Sequence, residues 1–158
     1  MSVKELTRAA LLAALYAALT VALAPLSYGP YFQLRVAEAL TVLPYVTPAA
    51  VPALFVGCLI ANVFGGLGIY DIALGSLATL LAALLTWRMP RPYLAPLPPV
   101  VINAVVVGAY LSFLTGASPL VTMGYVGLGE LLACYALGYP LLLVVLKNEK
   151  LRQLVRGR

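Results

Sequence analysis

Six polar side chains stand out in a chain that is otherwise almost wholly apolar: Arg35, Glu38, Asn62, Asp71, Asn103 and Glu130. The stretch Gln33-Leu34-Arg35-Val36-Ala37-Glu38 sets an arginine three residues from a glutamate. Between Arg8 and Arg88 the only charged residues are Arg35, Glu38 and Asp71, and between Arg91 and Lys147 the only one is Glu130. In or beside hydrocarbon an ionised side chain costs at least ~2.5–3.5 kcal/mol at mid-depth. Such a group persists where it faces protein, a partner or a ligand. Arg35 and Glu38 therefore read two ways, as an internal i,i+3 ion pair or as part of a binding site. Asp71 and Glu130 have no basic neighbour in sequence, which favours a site.

The rest of the composition dictates the setting. Apolar residues make up 63% of the 158, charged residues 9%, and the mean hydropathy is +1.02. Soluble domains carry about 25% charged residues. The expected fold is an all-α integral membrane protein, one domain of six transmembrane helices and almost no soluble part. The pI near 9.4 does not indicate nucleic acid, because the basic residues sit at the two ends and in one loop. That is the pattern of a topology signal. No cleavable signal peptide is expected. Cys58 and Cys134 lie in apolar segments and read as core residues, with no disulfide or metal implied.

Several chemistries are excluded. With no histidine there is no imidazole acid–base catalysis or metal ligation. No Gly-rich loop precedes Lys-Ser/Thr, so there is no Walker-type ATP site. Gly75-Ser76-Leu77 is not a nucleophile elbow. An enzyme is not expected, nor a cofactor. A transporter's substrate-binding subunit, a self-sufficient small transporter and a structural membrane subunit remain.

The elements that must position the six residues follow from apolar runs and their breakers. Helices are expected at about 6–26, 33–46, 48–64, 69–87, 96–115 and 120–147, with a basic tail from Lys147 to Arg158. The second is short, about 21 Å against a ~30 Å core, so the second and third segments are either two spans or a re-entrant pair. A bend is expected near Gly138 and Pro140. With both termini cytoplasmic, Lys4, Arg8, Arg88, Arg91 and the basic tail all fall inside, as the positive-inside rule requires. Arg35, Glu38, Asn62, Asp71 and Glu130 then converge on the outer half as an outward-facing pocket. Asn103 is expected nearer the inner side, where a structural hydrogen bond and a ligand contact are equally good readings. Tyr28, Tyr31, Phe32, Tyr70 and Tyr125 are either a stacking wall or an interfacial belt.

The first span carries two rows of small residues, Ala9, Ala13, Ala17 and Ala10, Ala14, Ala18. Small residues at i,i+4 let another helix approach closely. Either row could pack within the bundle or dock a separate membrane subunit.

Five motifs occur in order: Leu34-Arg35-Val36-Ala37-Glu38-Ala39-Leu40, then Asn62-Val63-Phe64-Gly65-Gly66-Leu67-Gly68-Ile69-Tyr70-Asp71, Gly75-Ser76-Leu77-Ala78-Thr79, Pro98-Pro99-Val100-Val101-Ile102-Asn103-Ala104 and Gly129-Glu130-Leu131-Leu132. Together they resemble the QueT family, the queuosine-precursor substrate-binding (S) components of energy-coupling-factor transporters. The resemblance covers nearly the whole chain. It implies a multi-pass protein of the cell membrane, six helices among lipid, that captures a 7-deazaguanine base outside. It also implies a transmembrane coupling subunit, met by an alanine-rich first helix, and a pair of ATPase subunits. One carboxylate can accept two adjacent N–H donors of such a base. The expected reader is Glu130, with Asp71 as runner-up, and Arg35 and Glu38 shape the rim. A different purine-like vitamin, or a self-sufficient transporter, is the alternative.

Overall fold

The computed structural model describes residues 3–29 and 33–156. Every regular element among them is helical. Helix α1 (Val3–Ala22) is followed by one short turn of helix, α2 (Ala24–Ser27), then a 3-10 helix (Val36–Tyr45) and α3 (Ala50–Gly65). A π-helical turn (Asp71–Gly75) leads into α4 (Ser76–Trp87). After a short 3-10 turn (Pro92–Leu94) come α5 (Leu97–Thr115) and α6 (Pro119–Leu131). A second π segment (Leu132–Gly138) joins α6 to α7 (Tyr139–Lys147), and α8 (Glu149–Arg156) ends the chain.

Three helical runs, Val3–Ala22, Pro92–Thr115 and Pro119–Lys147, are long and apolar enough to cross a membrane. Three shorter apolar helices, Val36–Tyr45, Ala50–Gly65 and Asp71–Trp87, accompany them. Large apolar side chains such as Leu15, Phe64, Leu81, Val105, Phe113 and Val144 are exposed on their surfaces. A soluble monomer rarely shows so much contiguous apolar surface. In lipid it is simply the outer face.

The 3-10 helix is the centre of the bundle. Every residue from Ala37 to Pro44 is buried, packed among α1, α3, α4, α7 and the second π segment. Its ten residues rise about 20 Å at ~2.0 Å each, close to the length expected of a 14-residue α-helix. Gln33 to Arg35 carry no regular structure and Arg35 is extended, so the element starts later and winds tighter than its apolar pattern suggests. Leu40, Val42, Leu43 and Val46 join Tyr16, Leu54 and Leu142 in the main core. Since lipid tails are as apolar as these side chains, close packing holds such a core together more than water exclusion does.

That packing depends on glycine at close crossings. A Cβ added at Gly57 on α3 would stand 2.7 Å from the carbonyl oxygen of Ala13 on α1. A Cβ at Gly108 on α5 would stand 2.6 Å from the Cα of Met123 on α6. Both helix pairs therefore meet backbone to backbone.

The expected basic tail is instead helical from Glu149. Asn148 caps it, its Oδ1 accepting from the amides of Lys150 (3.0 Å) and Leu151 (3.3 Å). Arg152 pairs with Glu149, and Arg156 donates to the Val46 carbonyl (3.2 Å), tying α8 to the 3-10 helix.

Candidate functional site

All six polar residues singled out in the sequence are buried, the most exposed at 7%. They come from the lead and first turn of the 3-10 helix, α3, the first π turn, α5 and α6, and they form two linked groups.

The first group centres on Asp71. Arg35 Nη2 donates to both its oxygens, at 3.2 and 3.3 Å, and the Tyr110 hydroxyl donates to Oδ1. Arg35 is further held by the Ser27 carbonyl at 3.4 Å and lies 5.4 Å from the centroid of the Tyr28 ring. The Tyr28 hydroxyl donates in turn to the Ala61 carbonyl at 2.6 Å. Asn62 Nδ2 donates to the backbone carbonyl of Asp71 at 2.8 Å and reaches Ser76 Oγ at 3.3 Å. The π turn matters here. It sets Asp71, Gly75 and Ser76 against α3, where a Cβ at Gly75 would press on Asn62 and Asp71.

The second group centres on two glutamates. Tyr16 on α1 donates to Glu38 Oε1. Glu130 accepts from the Cys134 thiol at 3.6 Å, and the Asn103 side chain lies beside it. One carboxylate oxygen each from Glu38 and Glu130 and the Cys134 sulfur lie within 4.8 Å of one another. Thr41 donates to the Glu38 carbonyl at 2.6 Å, and Cys134 lies 3.5 Å from that same carbonyl. The second π segment begins just beyond Glu130 and carries Cys134.

Three acceptor atoms in these groups are buried without a hydrogen-bond partner: Glu38 Oε2, Asn62 Oδ1 and Asn103 Oδ1. Leaving a buried polar atom unpaired costs about 1–3 kcal/mol. Two of the three, Glu38 Oε2 and Asn103 Oδ1, belong to the glutamate group and suit a ligand that supplies N–H donors.

Several expectations need correction. Arg35 does not pair with Glu38. Its backbone is extended (φ −87°, ψ 97°) ahead of the 3-10 helix, which turns the side chain towards Asp71, while Glu38 faces Tyr16 and Glu130. Asp71 therefore has a basic partner, one far off in sequence. Asn103 is not set apart, because its side chain meets Glu130. The polar cluster is closed over, not an open outward-facing pocket. Tyr70 and Tyr125 are both exposed, Tyr70 edge-on to Phe113 at 6.2 Å, and neither walls the cluster. Tyr31 and Phe32 lie outside the described residues. Tyr16 and Tyr110, unremarked in the sequence, are the tyrosines that bond the carboxylates. Tyr110 is seven residues after Asn103 and so on the same helical face, a spacing that could have disclosed it.

The two alanine rows separate cleanly. Ala9, Ala13 and Ala17 are buried with Tyr16 and Thr20 on the face that meets α3. Ala10, Ala14 and Ala18 are exposed. The cysteines are both free and buried.

Neither curated proteins nor solved structures gave a match to the chain. The profile described as QueT transporter matches residues 6–147. That match spans the 3-10 helix, both π segments and all six buried polar residues, and so the chain belongs to the QueT transporter family.

Proposed function

We propose that this membrane protein is the substrate-binding (S) component of an energy-coupling-factor importer, and that it takes up a queuosine precursor or related 7-deazaguanine base. The carrying observation is the pair of unbonded buried acceptors, Glu38 Oε2 and Asn103 Oδ1, on side chains of the group that holds the two glutamate carboxylates. A 7-deazaguanine presents adjacent ring and exocyclic N–H donors and one carbonyl. Glu130 accepts the two donors as a bidentate pair. Asn103 and Glu38 complete the contact, and the Gln33 Nε2, buried and unbonded, is a donor available to the carbonyl. Asp71 and Arg35 hold the architecture, since Asp71 already accepts from Arg35 and Tyr110, and Arg35 donates to Asp71 and the Ser27 carbonyl.

In this reading the chain spans the cell membrane six times with both termini cytoplasmic. Lys4, Arg8, Arg88, Arg91 and the charged face of α8 then lie on the inner side. The site opens outwards to load and closes as in the present structure. The exposed row Ala10, Ala14 and Ala18 is the docking face for a transmembrane coupling subunit, because the other row is already occupied by α3. ATPase subunits acting through that partner supply energy that a 158-residue bundle without a nucleotide motif does not.

The test is calorimetric titration of a 7-deazaguanine base into the purified, folded chain. Saturable one-to-one binding is expected, and absence of binding overturns the proposal. Transport of the base by the chain alone in liposomes would favour a self-sufficient transporter and overturn the S-component role.

A further inference from the structure

At the basic end of the bundle, the start of α1, the turn before α3 and α8 enclose two adjoining spaces that share no residue with the polar cluster. One is an apolar groove of about 220 Å³ lined by Leu11, Leu12, Leu43, Leu154 and Val155, with Arg8 beside them. The other is a cavity of about 570 Å³ lined by Glu5, Pro48, Pro52 and Arg156. Thr47 and Ala49 line both, so the two are continuous. Leu11 and Leu154 are 64% and 60% exposed, which puts the groove on the apolar outer face that the bundle presents to lipid.

Charge at this spot is unbalanced. Arg8 Nη1 is buried without a hydrogen-bond partner, a costly state for a charged donor. Arg156 spends its Nε on the Val46 carbonyl at 3.2 Å, which anchors the guanidinium at the cavity wall. Its Nη atoms have no partner among the described residues. Glu5 is the one carboxylate lining either space. Ala50, the first residue of α3, also lines the groove, and the positive end of that helix's dipole adds to the same field. Helix α8 is itself two-faced. Leu151, Leu154 and Val155 share one face, with Val155 against the main core, and Arg152, Gln153 and Arg156 share the other. That is the pattern of a helix lying at a membrane surface.

An occupant must bring negative charge to Arg8 and Arg156 and an apolar body to the groove. A free anion does only the first, and a neutral lipid only the second. We propose that the groove seats one anionic phospholipid, its phosphate against Arg8 and Arg156 and an acyl chain along Leu11, Leu12, Leu43 and Leu154. Basic pockets between helices at the charged end of a membrane bundle take such head groups. The lipid clasps α8 to α1. In the orientation proposed above it comes from the inner leaflet, but the site rests neither on that orientation nor on the base-binding reading.

Native mass spectrometry of the purified full chain, titrated in detergent, tests this. The probes are phosphatidylglycerol, phosphatidylcholine with the same acyl chains, and inorganic phosphate. One phosphatidylglycerol per chain should bind at least about fivefold tighter than phosphatidylcholine, the effect of about one charge at a membrane surface. Arg8→Gln with Arg156→Gln should weaken it about 30-fold, about fivefold for each arginine. Arg8→Gln alone leaves the Arg156–Val46 contact in place and should weaken it about fivefold, so the test survives a double variant that fails to fold. Arg88→Gln with Arg91→Gln removes the same charge outside the groove and should leave binding unchanged. Equal binding of the two lipids would make the groove a generic lipid surface and overturn the proposal. Equal loss in the two double variants would reduce it to a diffuse charge effect and overturn it too. Phosphate bound as tightly as the lipid would make this a free-anion site, again against the proposal. A parent chain that binds a 7-deazaguanine base but no phosphatidylglycerol would refute the lipid site and leave the substrate reading standing.

Discussion

Asp71→Asn should damage the fold far more than the binding of ligand. The Arg35 Nη2–Asp71 Oδ1 distance is 3.2 Å, and the two residues are 6% and 0% exposed. With an effective dielectric of about 20, the Coulomb energy of such a pair is about 5 kcal/mol. Removing one partner of a buried pair typically costs about 3–5 kcal/mol, because the other charge stays buried. Asparagine keeps an oxygen that can accept from Tyr110, so the loss is that of the charge. In a chain of this size each kcal/mol shifts Tm by about 2–4 °C. Thermal unfolding in detergent should therefore show Asp71→Asn melting about 6–20 °C below the parent. The double change Arg35→Leu with Asp71→Leu should recover part of that loss, since apolar replacement of a buried pair is often neutral or better. An Asp71→Asn protein that melts like the parent yet no longer binds ligand would refute the reasoning and make Asp71 a ligand reader.

The alanine rows predict different failures. Ala14→Trp should abolish uptake by cells that supply the partner subunits while binding by the purified chain stays near normal. Ala13→Trp should instead lower Tm and binding together, because Ala13 meets α3 at Gly57; equal behaviour of the two would contradict the assignment of faces. For topology, a single cysteine at Gly116 in a background lacking Cys58 and Cys134 should react with an impermeant thiol reagent from outside intact cells. One at Arg91 should not, and labelling there would reverse the orientation.

The sequence disclosed which residues matter better than it disclosed their partners. Arg35, Glu38, Asp71 and Glu130 were legible because charge in an apolar chain is costly and so is informative. Their pairing was not, because the i,i+3 rule assumes a helix through both residues, and Arg35 is extended ahead of the 3-10 helix. Tyr16 and Tyr110 escaped because tyrosine is common at membrane interfaces for reasons unrelated to any site. Both alanine rows have the same spacing. Which one turns inward is decided by Gly57 on α3, which no pattern within α1 reveals. The 3-10 and π windings were equally hidden, since apolar residues all round an element leave its period undetermined. The last helix is masked by its charges, which read as a solvated tail, and only the cap at Asn148 marks its start.

The central claim is that Glu130 reads the ligand. Glu130→Gln replaces one acceptor oxygen by an N–H donor that faces a donor of the base, while the smaller groups around it, Asn103 and Cys134, keep partners. Titrating a 7-deazaguanine base into the folded variant, with helicity matched to the parent by circular dichroism, measures this directly. The predicted loss is about 2–5 kcal/mol, roughly 30-fold to several thousand-fold in Kd. A folded Glu130→Gln protein that binds the base as the parent does would contradict it.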